Sequence, residues 1–61
     1  MKLVTVNEGG KMIAINVEQV EWLEPFEDAA ATRVHFVSGA RVVVDQKISD
    51  LAQELTQAVE S

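Results

Sequence analysis

The stretch TRVHFVSGARVVVD, residues 32–45, decides the fold because it predicts a β-hairpin with one apolar face. A two-residue loop would place Arg41 opposite Phe36 and bring a charge into that face. A three-residue loop that ends at Gly39, with this glycine in a left-handed bulge position, instead pairs Phe36 with Ala40. In this register one face carries only apolar side chains and a threonine, as a buried face requires: Thr32, Val34, Phe36, Ala40, Val42 and Val44.

The N-terminal segment predicts another hairpin, which is the first along the chain. A two-residue turn at Gly9 and Gly10 pairs Glu8 with Lys11, which carry opposite charges, and leaves one face wholly apolar. In both hairpins the other face mixes polar with apolar side chains. These mixed faces carry Leu3, Thr5, Asn7, Met12 and Ala14 in the first hairpin, and Arg33, His35, Val37, Arg41, Val43 and Asp45 in the second.

Two short irregular segments are predicted between the strands. Residues 16–20 are typical of a single helical turn, in which the Asn16 side chain caps the backbone. Residues 27–31, EDAAA, predict a loop, although the alanines would also tolerate a helical turn.

A short strand is expected over residues 21–24, and Pro25 is expected to end it. Trp22 and Leu23 point to opposite sides of any strand. One of them must therefore lie off the core face, and the sequence leaves open which one.

The C-terminal segment, residues 46–59, predicts an amphipathic helix. Asp45 is the expected N-cap, and Ser49 is the alternative cap if the preceding strand continues to residue 48. Residues 1–61 thus predict one α+β domain, in which a small sheet of about five mostly antiparallel strands precedes one helix. The apolar stripe of the helix follows a spacing of three and four residues: Ile48, Leu51, Ala52, Leu55, Ala58 and Val59.

Length and composition point to a small protein that needs a partner. A 61-residue chain buries only about 60% of its unfolded surface. The absence of cysteine excludes disulfides and Cys-based zinc sites, and the single histidine argues against a structural metal, so neither metal nor cofactor is expected. Oligomerisation is the remaining common source of stability, and a homodimer is favoured, with a protein partner as a further expectation.

The sequence predicts a cytoplasmic protein. No apolar run reaches the roughly 20 residues of a membrane span. The N-terminus lacks the apolar core and the cleavage site of a signal peptide. The net charge of −5, from ten acidic and five basic residues, disfavours general binding to nucleic acid because phosphate contacts dominate such affinity.

The residues favour binding over catalysis. His35 has no Ser or Cys nucleophile at a recognisable spacing, so no enzyme is predicted. Our leading hypothesis is a non-enzymatic interaction or regulatory module that self-associates through its mixed faces. The candidate interface residues are Leu3, Met12, Trp22, Val37 and Val43. The alternative is a nucleic-acid-binding regulator that uses Arg33, His35 and Arg41 on the outer hairpin face, although these side chains could simply pair with nearby acids or lie in water.

The chain resembles the FlbD-like family of small bacterial flagellar proteins over most of its length. The resemblance implies a β-rich fold with a short terminal helix and a flagellar setting. The central strands also weakly resemble the LytTR-type DNA-binding domain. The residues that carry the first resemblance are Ile15-Asn16, Val20, Leu23-Glu24, residues 32–36 (TRVHF), Gly39, Val43-Val44 and residues 48–51.

Overall fold

Five antiparallel strands followed by one helix make up the computed structural model, which describes residues 2–60 and confirms the predicted α+β class. A single 3₁₀ turn, Val17–Gln19, connects the second strand to the third. The elements are β1 (Leu3–Glu8), β2 (Lys11–Asn16), β3 (Val20–Phe26), β4 (Ala31–Phe36), β5 (Arg41–Val44) and α1 (Ile48–Glu60).

The strands divide into two sheets that share one core. One sheet pairs β1 with β2, and the other has the order β3-β4-β5. The sheets meet where β1 lies beside β5, and there the Asp45 N–H donates to the Asn7 carbonyl at 2.9 Å. The inner faces of both sheets and one side of α1 enclose the buried core: Val6, Ile15, Val17, Val34, Val44, Leu51 and Leu55.

Both predicted hairpin registers are confirmed. In the first hairpin Glu8 pairs with Lys11 across Gly9 and Gly10, which both have positive φ. In the second, the Phe36 N–H donates to the Ala40 carbonyl at 2.9 Å, so the loop has three residues. The third of them, Gly39, has a φ of +96°, a conformation that only glycine adopts without steric cost.

The predicted turn after β2 is also confirmed. The Asn16 Oδ1 accepts a hydrogen bond from the Glu18 N–H at 3.1 Å and caps the 3₁₀ turn. Val17 is buried at the start of this turn and anchors it to the core. A polar cap and an apolar anchor therefore hold the chain where it passes from one sheet to the other.

The expected end of β3 at Pro25 is wrong. The strand continues to Phe26, and Pro25 pairs in register with Thr32. Proline is tolerated here because β3 is an edge strand, where the missing N–H would have no partner in the sheet. In the loop that follows, Glu27, Asp28 and Ala29 all have positive φ. The loop therefore turns in the left-handed sense, which the alanine-rich sequence did not indicate.

The helix begins at Ile48, two residues later than expected, and ends at Glu60. Its start excludes Asp45 as the N-cap, and Ser49 lies inside the first turn. The sheet holds the preceding segment, because the Gln46 N–H donates to the Val44 carbonyl at 2.8 Å and the Asp45 N–H donates to β1. These backbone hydrogen bonds keep Asp45 and Gln46 out of the helix, which therefore begins at Ile48.

Thr32 carries the only buried polar side chain among the described residues. Its Oγ1 donates to the Gln46 carbonyl at 2.8 Å and ties β4 to the segment that leads into α1. Removing this donor would leave a part-buried carbonyl without its partner.

Thr32→Val should therefore lower the free energy of unfolding by about 1–2 kcal/mol, because the shape is kept while the hydrogen bond is lost. Urea denaturation followed by circular dichroism measures this change. Thr5→Val is the matched control, since Thr5 is exposed on β1. Equal stability of Thr32→Val and the native chain would show that the bond contributes nothing.

Candidate interaction surface

The outer face of the β3-β4-β5 sheet brings a ring stack and an ion-pair cluster together. Directly opposed residues of antiparallel strands point to the same side. Trp22 is opposite His35 and Glu24 is opposite Arg33, and these pairs lie next to each other along β3 and β4. The face, which we call the Trp22 face, comprises Trp22, Glu24, Phe26, Arg33, His35, Arg41 and Val43.

Trp22 and His35 stack on this face. Their ring centroids are 3.9 Å apart and their planes are inclined by 4°. Leu23, on the opposite side of β3, packs against the core, which answers the question that the sequence left open. Trp22 remains 49% exposed and presents a rigid aromatic surface to solvent. Half-exposed tryptophans of this kind are enriched among the residues that anchor protein interfaces.

Glu24 links the two basic side chains of β4. The same carboxylate oxygen, Oε1, lies 3.0 Å from His35 Nε2 and 3.2 Å from Arg33 Nη1. The hydrogen bond from His35 lowers the pKa of Glu24, the positive charge of Arg33 acts in the same direction, and partial desolvation opposes them. The Arg33 guanidinium also lies 4.6 Å from the centre of the Phe26 ring, within the range of a cation–π contact.

This geometry weakens the case for a phosphate-binding patch. Of the three candidate recognition residues, Arg33 and His35 are both directed to Glu24, and Arg41 is exposed on β5. A carboxylate between two basic groups offsets their charge and would repel a phosphate. The arrangement therefore supports pairing with a nearby acid, which was the simpler interpretation of these residues.

The five candidate interface residues do not form one cluster. Trp22 and Val43 share the Trp22 face, and Val43 is half-buried there. Leu3 and Met12 are exposed on the outer face of the β1-β2 sheet, at opposite ends of it. Val37 is exposed in the loop between β4 and β5, where its N–H donates to the Gln19 carbonyl.

Two features of the surface escaped the sequence analysis. Glu24 and Phe26 join the Trp22 face only because β3 pairs with β4 across a loop of residues 27–30, a length that the composition did not reveal. Val59 was expected in the core stripe of the helix but is 55% exposed. It borders an open, mainly apolar groove of about 350 Å³, which is lined by Val17, Val20, Leu55, Thr56, Val59 and Glu60.

Comparisons with known proteins add no identification. No family model matches the chain, and no match was found among curated proteins or among solved structures.

Within residues 2–60, no helix has the length and the apolar character to cross a membrane. In the same part of the chain, no three His, Asp or Glu side chains converge as metal ligands would.

The lowered pKa of Glu24 predicts a stability that depends on pH. A carboxyl group whose pKa is lower in the folded chain stabilises the fold above its unfolded pKa, roughly 4.3 for glutamate, and loses this contribution as the pH falls through the lower folded value. Glu24→Gln should therefore reduce the loss of stability as the pH falls below the pKa of glutamate in the unfolded chain. Urea unfolding over a pH series measures this change, and the matched control is Glu21→Gln, which removes a carboxylate at an exposed position of the same strand.

The stack predicts a spectroscopic change at Trp22, which is the single tryptophan of the chain. His35→Ala should shift its fluorescence emission to longer wavelength, because the indole loses the ring that covers one of its faces. Arg41→Ala, which removes the side chain opposite His35 on β5, is the control and should leave the emission unchanged. Identical emission from His35→Ala and the native chain would contradict the stack.

Proposed function

We propose that the protein is a small non-enzymatic interaction module that self-associates. The observation that carries the proposal is the imbalance between its core and its apolar surface. Among residues 2–60, eight apolar side chains are buried while five large ones are exposed. The exposed set is Leu3, Met12, Trp22, Val37 and Val59.

The size of the chain supports a permanent partner. Single exposed apolar residues are ordinary on a protein surface, but a domain of this length has little core to offset the entropy of folding. Association covers apolar surface and adds stability by mass action. A second copy is always present at the concentration of the first, and two-fold dimers are the commonest closed assemblies.

The contacts of the Trp22 face support binding over catalysis. His35 and Arg33 hold the Glu24 carboxylate, and the His35 ring is covered by Trp22, so these groups rigidify the surface. A rigid aromatic surface with an ion pair beside it suits recognition of another protein, since little side-chain entropy is lost on contact. The resemblance to FlbD-like proteins implies that such a module would work in a bacterial flagellar setting.

The proposal predicts a concentration-dependent dimer of twice the 6.7 kDa protomer mass. Sedimentation equilibrium from low to high micromolar concentration should show it. The dimer should persist at high salt, because apolar burial is not screened as exposed charge pairs are. A protomer mass at every concentration would refute self-association.

A gel-shift assay separates this function from its alternative. A regulator that binds nucleic acid through Arg33, His35 and Arg41 should shift random DNA or RNA at low salt and lose the shift as salt rises. We expect no shift, because the chain has a net charge of −5 and Glu24 lies between two of the three basic groups. A salt-sensitive shift would favour the alternative.

A further inference from the structure

The free edge of β2 is the feature from which the mode of self-association can be inferred. We infer that β2 pairs antiparallel with β2 of a second copy, about a two-fold axis at Ala14. This inference rests on the proposed self-association and specifies its surface and register.

The two outer strands of the fold differ in how their edges are protected. β3 carries Pro25 and an irregularity in its pairing between Val20 and Trp22, and both features hinder the addition of another strand. β2 has neither. Its sequence, KMIAIN, has one charge at its first residue and is otherwise apolar up to Asn16. Within residues 2–60, β1 is its single partner in a sheet.

The register of the first hairpin shows which backbone groups β2 leaves open. Glu8 and Lys11 close a two-residue turn as a hydrogen-bonded pair, so alternate residues from Lys11 onward bond to β1. The bond from the Val17 N–H to the Lys2 carbonyl, 2.8 Å, follows the same alternation. The N–H and C=O groups of Met12 and Ala14 therefore point to the free edge, together with the N–H of Asn16, whose carbonyl begins the 3₁₀ turn.

These three residues are self-complementary. If Ala14 pairs with Ala14 of a second copy, Met12 of each copy pairs with Asn16 of the other. All three positions are then paired, and the groups that the protomer leaves open make about four hydrogen bonds: two between the Ala14 residues and one from each Asn16 N–H to a Met12 carbonyl. Sliding the second strand by two residues leaves only two such pairs. Every pair in this register joins two even-numbered or two odd-numbered residues. The apolar inner faces of both copies therefore stay on the same side of the joined sheet.

Charge and shape favour the same pairing. Lys11 lies at the start of β2, and Glu18 lies just beyond its end. Antiparallel pairing brings Lys11 of each copy towards Glu18 of the other, whereas parallel pairing would bring like charges together. On the inner face, the half-buried Ile13 pairs with Ile15 of the second copy. The small side chain of Ala14 fits the two-fold axis, where each residue faces its own copy.

The pairing also changes the neighbours of two exposed residues. Leu3 and Met12 lie at opposite ends of the outer face of their own hairpin, because Leu3 is opposite Asn16 and Met12 is opposite Asn7. In the joined sheet, Met12 of the second copy is the next residue beyond Asn16 in the same cross-strand row. Leu3 of one copy and Met12 of the other therefore flank Asn16 in one row of the outer face.

Charge substitutions at the axis test the inference. Ala14→Lys and Ala14→Glu each place two like charges opposite each other and should raise the dimer dissociation constant by about tenfold or more. An equimolar mixture should restore a dimer, because Lys then faces Glu. Thr5→Lys is the matched control, since Thr5 is exposed opposite Ala14 on β1 but away from the edge, and its dimer should be unchanged. Sedimentation gives the mass, and circular dichroism shows that each variant is folded.

Amide hydrogen exchange tests the same pairing in the native chain. The N–H groups of Met12, Ala14 and Asn16 should exchange more slowly as concentration rises, while exposed amides outside the edge keep their rates. This measurement uses the native chain, so a folding defect caused by a substitution cannot affect it.

The possible results separate the two proposals. A native chain that stays monomeric overturns self-association and the β2 pairing with it. A dimer that survives Ala14→Lys but dissociates with Val43→Glu overturns the β2 pairing and places the interface on the Trp22 face. Single variants that dissociate but do not recover on mixing overturn the axis at Ala14.

Discussion

The three-residue turn between β4 and β5 is the constraint on which the rest of the structure depends. It decides which side chains of β5 face the core, because a loop of two residues would exchange the inner and outer faces of this strand. With Gly39 in its left-handed conformation, Val34 pairs with Val42 and both point to the core. Arg33 and His35 are then directed outward, where β3 supplies the carboxylate that pairs with them.

The core that this arrangement creates is small, and several contacts outside it complete the fold. Thr32 reaches the backbone before α1, and Asp45 reaches the backbone of β1. These polar contacts join elements that apolar packing by itself would leave less well oriented. They also explain why the helix starts later than its own periodicity suggests, since Asp45 and Gln46 are bonded to the strands.

The Trp22 face and the β2 edge are two different kinds of surface. The Trp22 face presents side chains, and its ion pair and ring stack are already satisfied within the protomer. The β2 edge presents backbone groups, whose hydrogen-bonding capacity is open on one side. Strand addition satisfies such groups directly and needs little adaptation of side chains, so the edge is the better surface for a permanent contact with a second copy. In the dimer that we propose, the Trp22 face would remain exposed.

Local chemistry allowed the sequence by itself to determine both hairpin registers, the Asn16 cap and the amphipathic helix. Glycine at a turn, alternation along a strand and a capping side chain act over a few residues, so their signals lie within short segments. The tertiary structure decided the rest. Whether Trp22 or Leu23 faces the core, whether Pro25 ends β3 and where α1 begins all depend on contacts with distant segments. The cluster of Glu24 with Arg33 and His35 has the same origin, because it requires a pairing of β3 with β4 that no local pattern specifies.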